Sequence, residues 1–231
     1  LVSSGQQEGL SFINPELAKN INFYNGGFQA KYGDKMSSVL DIQYKKPKTF
    51  GGSVDISLLE QGFHWEGSTA KEKFTYLFGV RNKTNKNLLA SQETKGNYTP
   101  SSSDAQAYLT YRLSRKNQLE FLGIFSGTKF LLIPESAQKS TAVFSPLFTA
   151  NIGLDIFFEG QEKDKYSTNM QGLSLVHQSN KNLRLKWMAS HFQDIENENF
   201  DITGAYLFGE RDFDKSSSSF GPLVNPLGAG I

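Results

Sequence analysis

Apolar residues recur mainly at every second position along this chain. Beyond the first 25 residues almost no segment sustains the i, i+3, i+4, i+7 spacing of an amphipathic helix. Val54, Ile56 and Leu58 alternate with Asp55 and Ser57, and Phe74, Tyr76, Phe78 and Val80 alternate with Thr75, Leu77, Gly79 and Arg81. The clearest alternation sets Ala105, Ala107, Leu109, Tyr111 and Leu113 against Gln106, Tyr108, Thr110 and Arg112. Further along, Leu183, Leu185, Trp187 and Ala189 oppose Arg184, Lys186, Met188 and Ser190, and Phe200, Ile202, Gly204, Tyr206 and Phe208 oppose Asp201, Thr203 and Ala205. Each reads as a two-faced β-strand. Two further strands, Leu119 to Phe125 and Gly172 to His177, alternate less cleanly. The chain is therefore expected to be all-β.

The expected connections alternate in length. Short ones fall near 68–71, 114–117 and 179–182, and long ones near 83–103 and 129–163. Tight turns on one side and long loops on the other are the habit of outer-membrane barrels. A half-buried sheet in a soluble sandwich alternates too, so periodicity leaves both open. Charge placement fits either as well: Asp55, Arg81, Arg112, Arg184, Lys186 and Asp201 all fall on polar phases. A charge facing the bilayer midplane costs about 2–4 kcal/mol. Phe74, Tyr111, Trp187, Phe192 and Phe208 lie toward strand ends, as interfacial aromatic girdles require.

The first 50 residues differ in kind. Asn14 to Lys19 suggests a short helical turn, Ile21 to Tyr24 a short strand, and Asn25-Gly26-Gly27 a tight turn. Gly33 suggests a second bend before Ser37 to Tyr44 extends again, and Pro47 within Lys45-Lys46-Pro47-Lys48 ends that extension. A boundary is expected near 46–50, giving regions 1–48 and 49–231.

Composition removes several classes. The 231 residues carry 24 Lys+Arg against 23 Asp+Glu, so there is no basic field for nucleic acid. With no cysteine there is no disulfide framework, thiolate metal site or thiol nucleophile. No run approaches the roughly 18 apolar residues of a spanning helix, whereas spanning strands need only about 9–11 residues of alternating polarity. His64, His177 and His191 fall in separate expected strands, so no metal site is expected. No Gly-x-Ser-x-Gly elbow supports a triad, and the glycines near 26–33 do not match a P-loop, so no enzyme and no cofactor is expected. Asp194 to Glu198 is expected to be a solvated acidic loop, and Ser216 to Ser219 a flexible connection.

Asn22 to Ile42, with its glycine-rich turn, Tyr32-Gly33 step and Ser37-Ser38 pair, resembles the end of the plug domain of TonB-dependent outer-membrane receptors of Bacteroidota type. Phe158 to Tyr166 and Phe200 to Tyr206 resemble barrel segments of the same receptors. The resemblance implies that 1–48 is the C-terminal part of a plug and 49–231 roughly the first seven strands of a transmembrane barrel of about 22 strands. Since so few strands cannot close a barrel, the chain is expected to be a fragment. It implies nutrient import across the bacterial outer membrane by ligand-gated plug rearrangement, with siderophore, glycan, peptide and cobalamin all open as substrates. The implied partners are the TonB complex in the periplasm, outer-membrane lipids, an extracellular ligand and a surface lipoprotein.

Gly26, Gly27, Tyr32, Gly33, Ser37 and Ser38 would shape the plug, and Arg81, Arg112, Arg184 and Asp201, chosen by phase, are candidates for lumenal plug contacts. The competing expectations are a soluble or surface-attached β-sandwich that binds glycans on exposed aromatics, and a structural barrel partner that transports nothing.

Overall fold

The structure is a computed structural model describing residues 13–33, 37–84, 96–144, 149–213, 216 and 221–231. Asp34 to Met36 of the plug-like motif, 85–95 of the expected long connection and Ser217 to Ser219 lie outside the described residues. The described chain is all-β and antiparallel, with two short 3-10 turns and no α-helix among its described residues. Its elements are β1 (Ala18–Asn25), β2 (Ser38–Tyr44), β3 (Gly51–Ile56), β4 (Glu60–Ser68), β5 (Phe74–Thr84), β6 (Gly96–Tyr98), β7 (Ser101–Arg112), β8 (Asn117–Pro134), β9 (Ala137–Phe144), β10 (Thr149–Gln178), β11 (Arg184–Arg211) and β12 (Leu223–Gly230). β1 and β2 form a sheet of their own. The other ten make one sheet in the order β12-β11-β10-β8-β7-β5-β4-β3, with β6 paired to β8 and β9 to β10.

That count exceeds the roughly seven strands expected, and the excess has a definable source. In the stretch 129–163, expected as a long loop, most described residues are ladder: β8 runs on to Pro134, and β9 pairs β10 from Thr149↔Phe144 to Ile156↔Ala137. From Gln138 to Phe144 every residue of β9 is exposed. A ladder is closed by backbone hydrogen bonds, so a ribbon solvated on both faces carries no hydrophobic alternation to announce it. For the same reason Asp194 to Glu198 lies inside β11, which joins the two strands expected at 183–190 and 200–208 into one. The expected helical turn at Asn14 is a single turn that gives way to β1 at Ala18.

The chain divides into two compact units, residues 1–84, 101–128 and 165–196, and residues 85–100, 129–164 and 197–231. In the first, side chains at the turns satisfy backbone donors as local hydrogen-bonding residues do. Ser114 Oγ accepts from the N–H of Lys116 (3.2 Å) and Asn117 (3.1 Å), and Asn180 Oδ1 accepts from those of Asn182 and Leu183, both at 2.9 Å. Register then sets the two faces. Val54↔Phe63, Phe63↔Val80 and Trp65↔Phe78 share one, while Arg81↔Asp104 and Thr75↔Thr110 share the other.

The faces are covered in the reverse of the usual sense. On β5, Thr75, Leu77, Gly79 and Arg81 are buried, whereas Phe74, Tyr76 and Phe78 are half-buried and Val80 is 53% exposed. On β7, Ser102, Asp104, Gln106 and Thr110 are buried and Tyr111 is exposed. Among the described residues fourteen polar or charged residues are buried against six hydrophobic ones, so the interior of this fold is polar. Aromatic side chains crowd the other face near the turn at 69–73. Trp65 lies 5.0 Å from Tyr76 and 5.9 Å from Phe78, Phe74 lies 6.5 Å from Tyr111, and Lys73 Nζ sits 5.5 Å from the Tyr111 ring.

The second unit holds the β9–β10 ribbon, the β6–β8 pairing and the β11–β12 hairpin. Its buried centre is Arg211, which is paired with Asp155 and donates from Nη1 to the Gly221 carbonyl at 2.6 Å.

Candidate functional site

The buried polar face of the first unit carries the N-terminal segment. Ile13 to Leu17 is folded into a turn by Leu17 N–H donating to Asn14 O (3.2 Å), and Asn14 Oδ1 accepts from Glu16 N–H (3.0 Å). The turn drives Asn14 and Leu17 down onto Gly79 of β5, and both side chains are buried. A Cβ at Gly79 would lie 2.5 Å from Asn14 Nδ2 and 3.0 Å from Leu17 Cδ1, so the seat exists because this position has no side chain.

Beside the seat, Arg81 is 2% exposed and directs its guanidinium to two partners. Nη2 lies 2.8 Å from Asp104 Oδ2, Nε donates to the same oxygen at 3.0 Å, and Nη1 donates to the Ile13 carbonyl at 2.7 Å. Gln106 Nε2 donates to Asp104 Oδ1 at 2.9 Å. A buried ion pair offsets its desolvation only when remaining lone pairs and protons are also satisfied. Here a donor the carboxylate does not use, on Nη1, is spent on the N-terminal segment.

A second set of contacts holds the stretch after β2. Lys46 Nζ reaches Glu120 Oε1 on β8 at 2.9 Å, and Lys186 Nζ on β11 reaches the other oxygen at 3.4 Å. Ser68 Oγ donates to the Lys48 carbonyl at 2.5 Å, and Lys45 N–H donates to Leu17 O at 3.0 Å. Tyr44 stacks on Tyr108 of β7 with centroids 5.3 Å apart and planes at 26°. Burial, with a smaller contribution from Asp104, pushes the Tyr44 phenol up to about 12, because the ionised form would lose its hydration. Between β2 with residues 45–48 on one side and β7, β8, β10 and β11 on the other lies an open cleft of about 1300 Å³.

The residues singled out by sequence fall in different places. Gly26 has φ +93° directly after β1, a conformation that favours glycine. Tyr32 ends a 3-10 turn, with its ring 5.7 Å from that of Tyr24, and Gly33 caps that turn. Gly27 has open space around it, Ser37 precedes β2, and Ser38 pairs with Asn25 in the ribbon. Arg81 touches the N-terminal segment and Arg184 lines the cleft. Arg112 is instead at the 69–73 turn, donating to Lys71 O (3.2 Å) and lying 3.8 Å from Glu72. Asp201 is exposed on β11 in the second unit, where its carbonyl lies against Gly160 of β10.

Sequence reading missed Asn14, Leu17, Gly79, Asp104 and Glu120. Asp104 carried a usable signal, as an acidic residue on the polar phase of the strand next to that of Arg81. Asn14 and Leu17 carried none, because their seat on Gly79 lies across about sixty residues of chain. Comparison of the chain with family models, with curated proteins and with solved structures returns no match.

Proposed function

We propose that this chain is the plug end and part of the barrel wall of a TonB-dependent outer-membrane receptor that imports a nutrient. The apolar face of its sheet meets lipid, and its polar face lines the lumen around the N-terminal segment. The observation that carries the reading is the inverted burial, with Arg81, Asp104, Gln106 and Thr110 enclosed while Phe63, Trp65, Val80 and Trp187 are left outside. In water each large apolar side chain left exposed forgoes about 1.5–3 kcal/mol, a loss that hydrocarbon would recover. The aromatic cluster with Lys73 near the 69–73 turn suits the headgroup level. The same exposure counts against a soluble sandwich, which would bury that face under a second sheet. On this reading the receptor of which the chain is part binds and passes a solute without covalent chemistry, in partnership with TonB in the periplasm. Import, rather than a scaffolding role, is favoured by the cleft alongside the seated segment.

The two tryptophans of the chain, Trp65 and Trp187, both lie on the apolar face at 41% and 55% exposure. Refolded into vesicles with brominated acyl chains, the protein should lose most of its tryptophan fluorescence, and in cells the receptor that contains it should fractionate with the outer membrane and support uptake only when TonB is present. A stable, unquenched monomer in detergent-free buffer would overturn the membrane reading. Outer-membrane location with TonB-independent uptake would overturn the transport mechanism.

A further inference from the structure

The cleft is strongly basic for a chain whose net charge is +1: seven cationic side chains line it against three carboxylates. Its most buried carboxylate, Glu120, is already shared by Lys46 and Lys186. Lys19, Lys45 and Arg184 line the same space with no carboxylate within ion-pair distance among the described residues. Cations gathered in a cleft with low-dielectric walls focus a positive potential that an entering anion relieves. The walls are not uniformly charged: Tyr44, Leu122, Met170 and Met188 give apolar surface for the body of a ligand, and Ser174 and Ser190 offer hydroxyls.

We infer that the cleft binds a multivalent organic anion, a compact solute carrying two or more carboxylate or phosphate groups, with Lys19, Lys45 and Arg184 as its free cationic contacts. For its place in transport the inference rests on the reading above, as a station on the seam between the seated segment and the wall. Its binding chemistry does not depend on that reading.

The test uses the full chain folded in detergent micelles, titrated calorimetrically with tripolyphosphate, trigalacturonate and, as a neutral probe of similar size to the latter, maltotriose. Saturable binding of either anion, weakening steeply with salt, and none of maltotriose is the expected result. Tripolyphosphate alone would name phosphorylated solutes as the class, and trigalacturonate alone would name acidic sugars. The double variant Lys45→Gln/Arg184→Gln should weaken anion binding about tenfold or more, since hydrogen bonds to charged groups are individually worth that much. Lys116→Gln/Lys181→Gln, at the turns, should leave it unchanged. If the double variant misfolds, Lys19→Gln alone, at an exposed position of β1, should still weaken binding measurably. Failure of both anions to bind, equal binding of maltotriose, or cleft variants that bind like the parent would overturn the inference. An outer-membrane protein with TonB-dependent uptake and no anion affinity would sink the cleft and spare the transporter. A soluble protein that binds these anions would do the reverse.

Discussion

Arg81 and Arg211 are both buried, both paired with an aspartate on a neighbouring part of the sheet, and both donate to a backbone carbonyl. They differ in whose carbonyl it is. Arg211 reaches Gly221, ten residues on, across the loop that joins β11 to β12, so its bond closes a local hairpin. Arg81 reaches Ile13, 68 residues back, in a segment that belongs to neither of its neighbouring strands. The local pair consolidates structure that the β11–β12 ladder already defines. The remote pair, with Leu17 and Asn14 over Gly79, attaches a separate piece of chain to a finished sheet. Identical chemistry thus serves cohesion in one unit and attachment in the other, and only attachment can be reversed while leaving the sheet intact. On the receptor proposal, a plug that must move needs that kind of contact.

Removing each arginine tests the distinction most severely. Arg81→Ala and Arg211→Ala each leave a buried aspartate unpaired, and each should cost about 3–5 kcal/mol in denaturant unfolding from micelles. The location of the damage should differ. Limited proteolysis of Arg81→Ala should cut within residues 13–48 while the sheet stays resistant, whereas Arg211→Ala should expose the paired ends of β11 and β12 and spare the N-terminal segment. If both variants lose protection everywhere together, the contrast between attachment and cohesion fails.

A gentler way to unseat the segment is Gly79→Val, which fills the space of Asn14 and Leu17 without touching a charge. Overpacking of this kind costs about 1–3 kcal/mol. Proteolysis at 13–48 should rise as in Arg81→Ala, with the β-signal in circular dichroism unchanged. Continued protection of that segment would mean that the polar contacts of Arg81 and Lys46 hold it without the seat over Gly79.

The smallest effect comes from pH. The Tyr44 phenol is held up to about 12 in the folded chain against 10.0 in a solvated one. Its contribution is therefore fully present below pH 10 and fades as pH rises from 10 toward 12, because the released segment can ionise where the seated one cannot. Near pH 11 this amounts to about 1 kcal/mol, read as the difference in stability between the parent chain and Tyr44→Phe. A constant difference from pH 8 to 11 would show that the stack on Tyr108 leaves the phenol in contact with water.

Much of this architecture was written in the alternation of side chains. Ala105 to Leu113 and Phe74 to Arg81 announce two-faced strands, and Asn25-Gly26-Gly27 announces the turn that Gly26 makes with its positive φ. Phase alone chose Arg81, Arg112, Arg184 and Asp201 together. It could not say that Arg81 meets Ile13 and Arg184 lines the cleft while Arg112 lies at the 69–73 turn and Asp201 in the second unit, because a phase fixes the side of a strand and says nothing of the height along it. Nor could it find β9, whose residues from Gln138 to Phe144 are exposed on both faces.

The sequence by itself therefore determined that the chain is built of strands, and which side chains of each strand travel together, since a period of two is a local property of the backbone. Which of the two faces is enclosed was decided only by the tertiary structure. Alternation is symmetric under exchange of inside and outside, and the choice is made by what settles on the sheet: here a short turn carrying Asn14 and Leu17, seated where Gly79 leaves room and fixed by an Nη1 donor of Arg81 that Asp104 does not use.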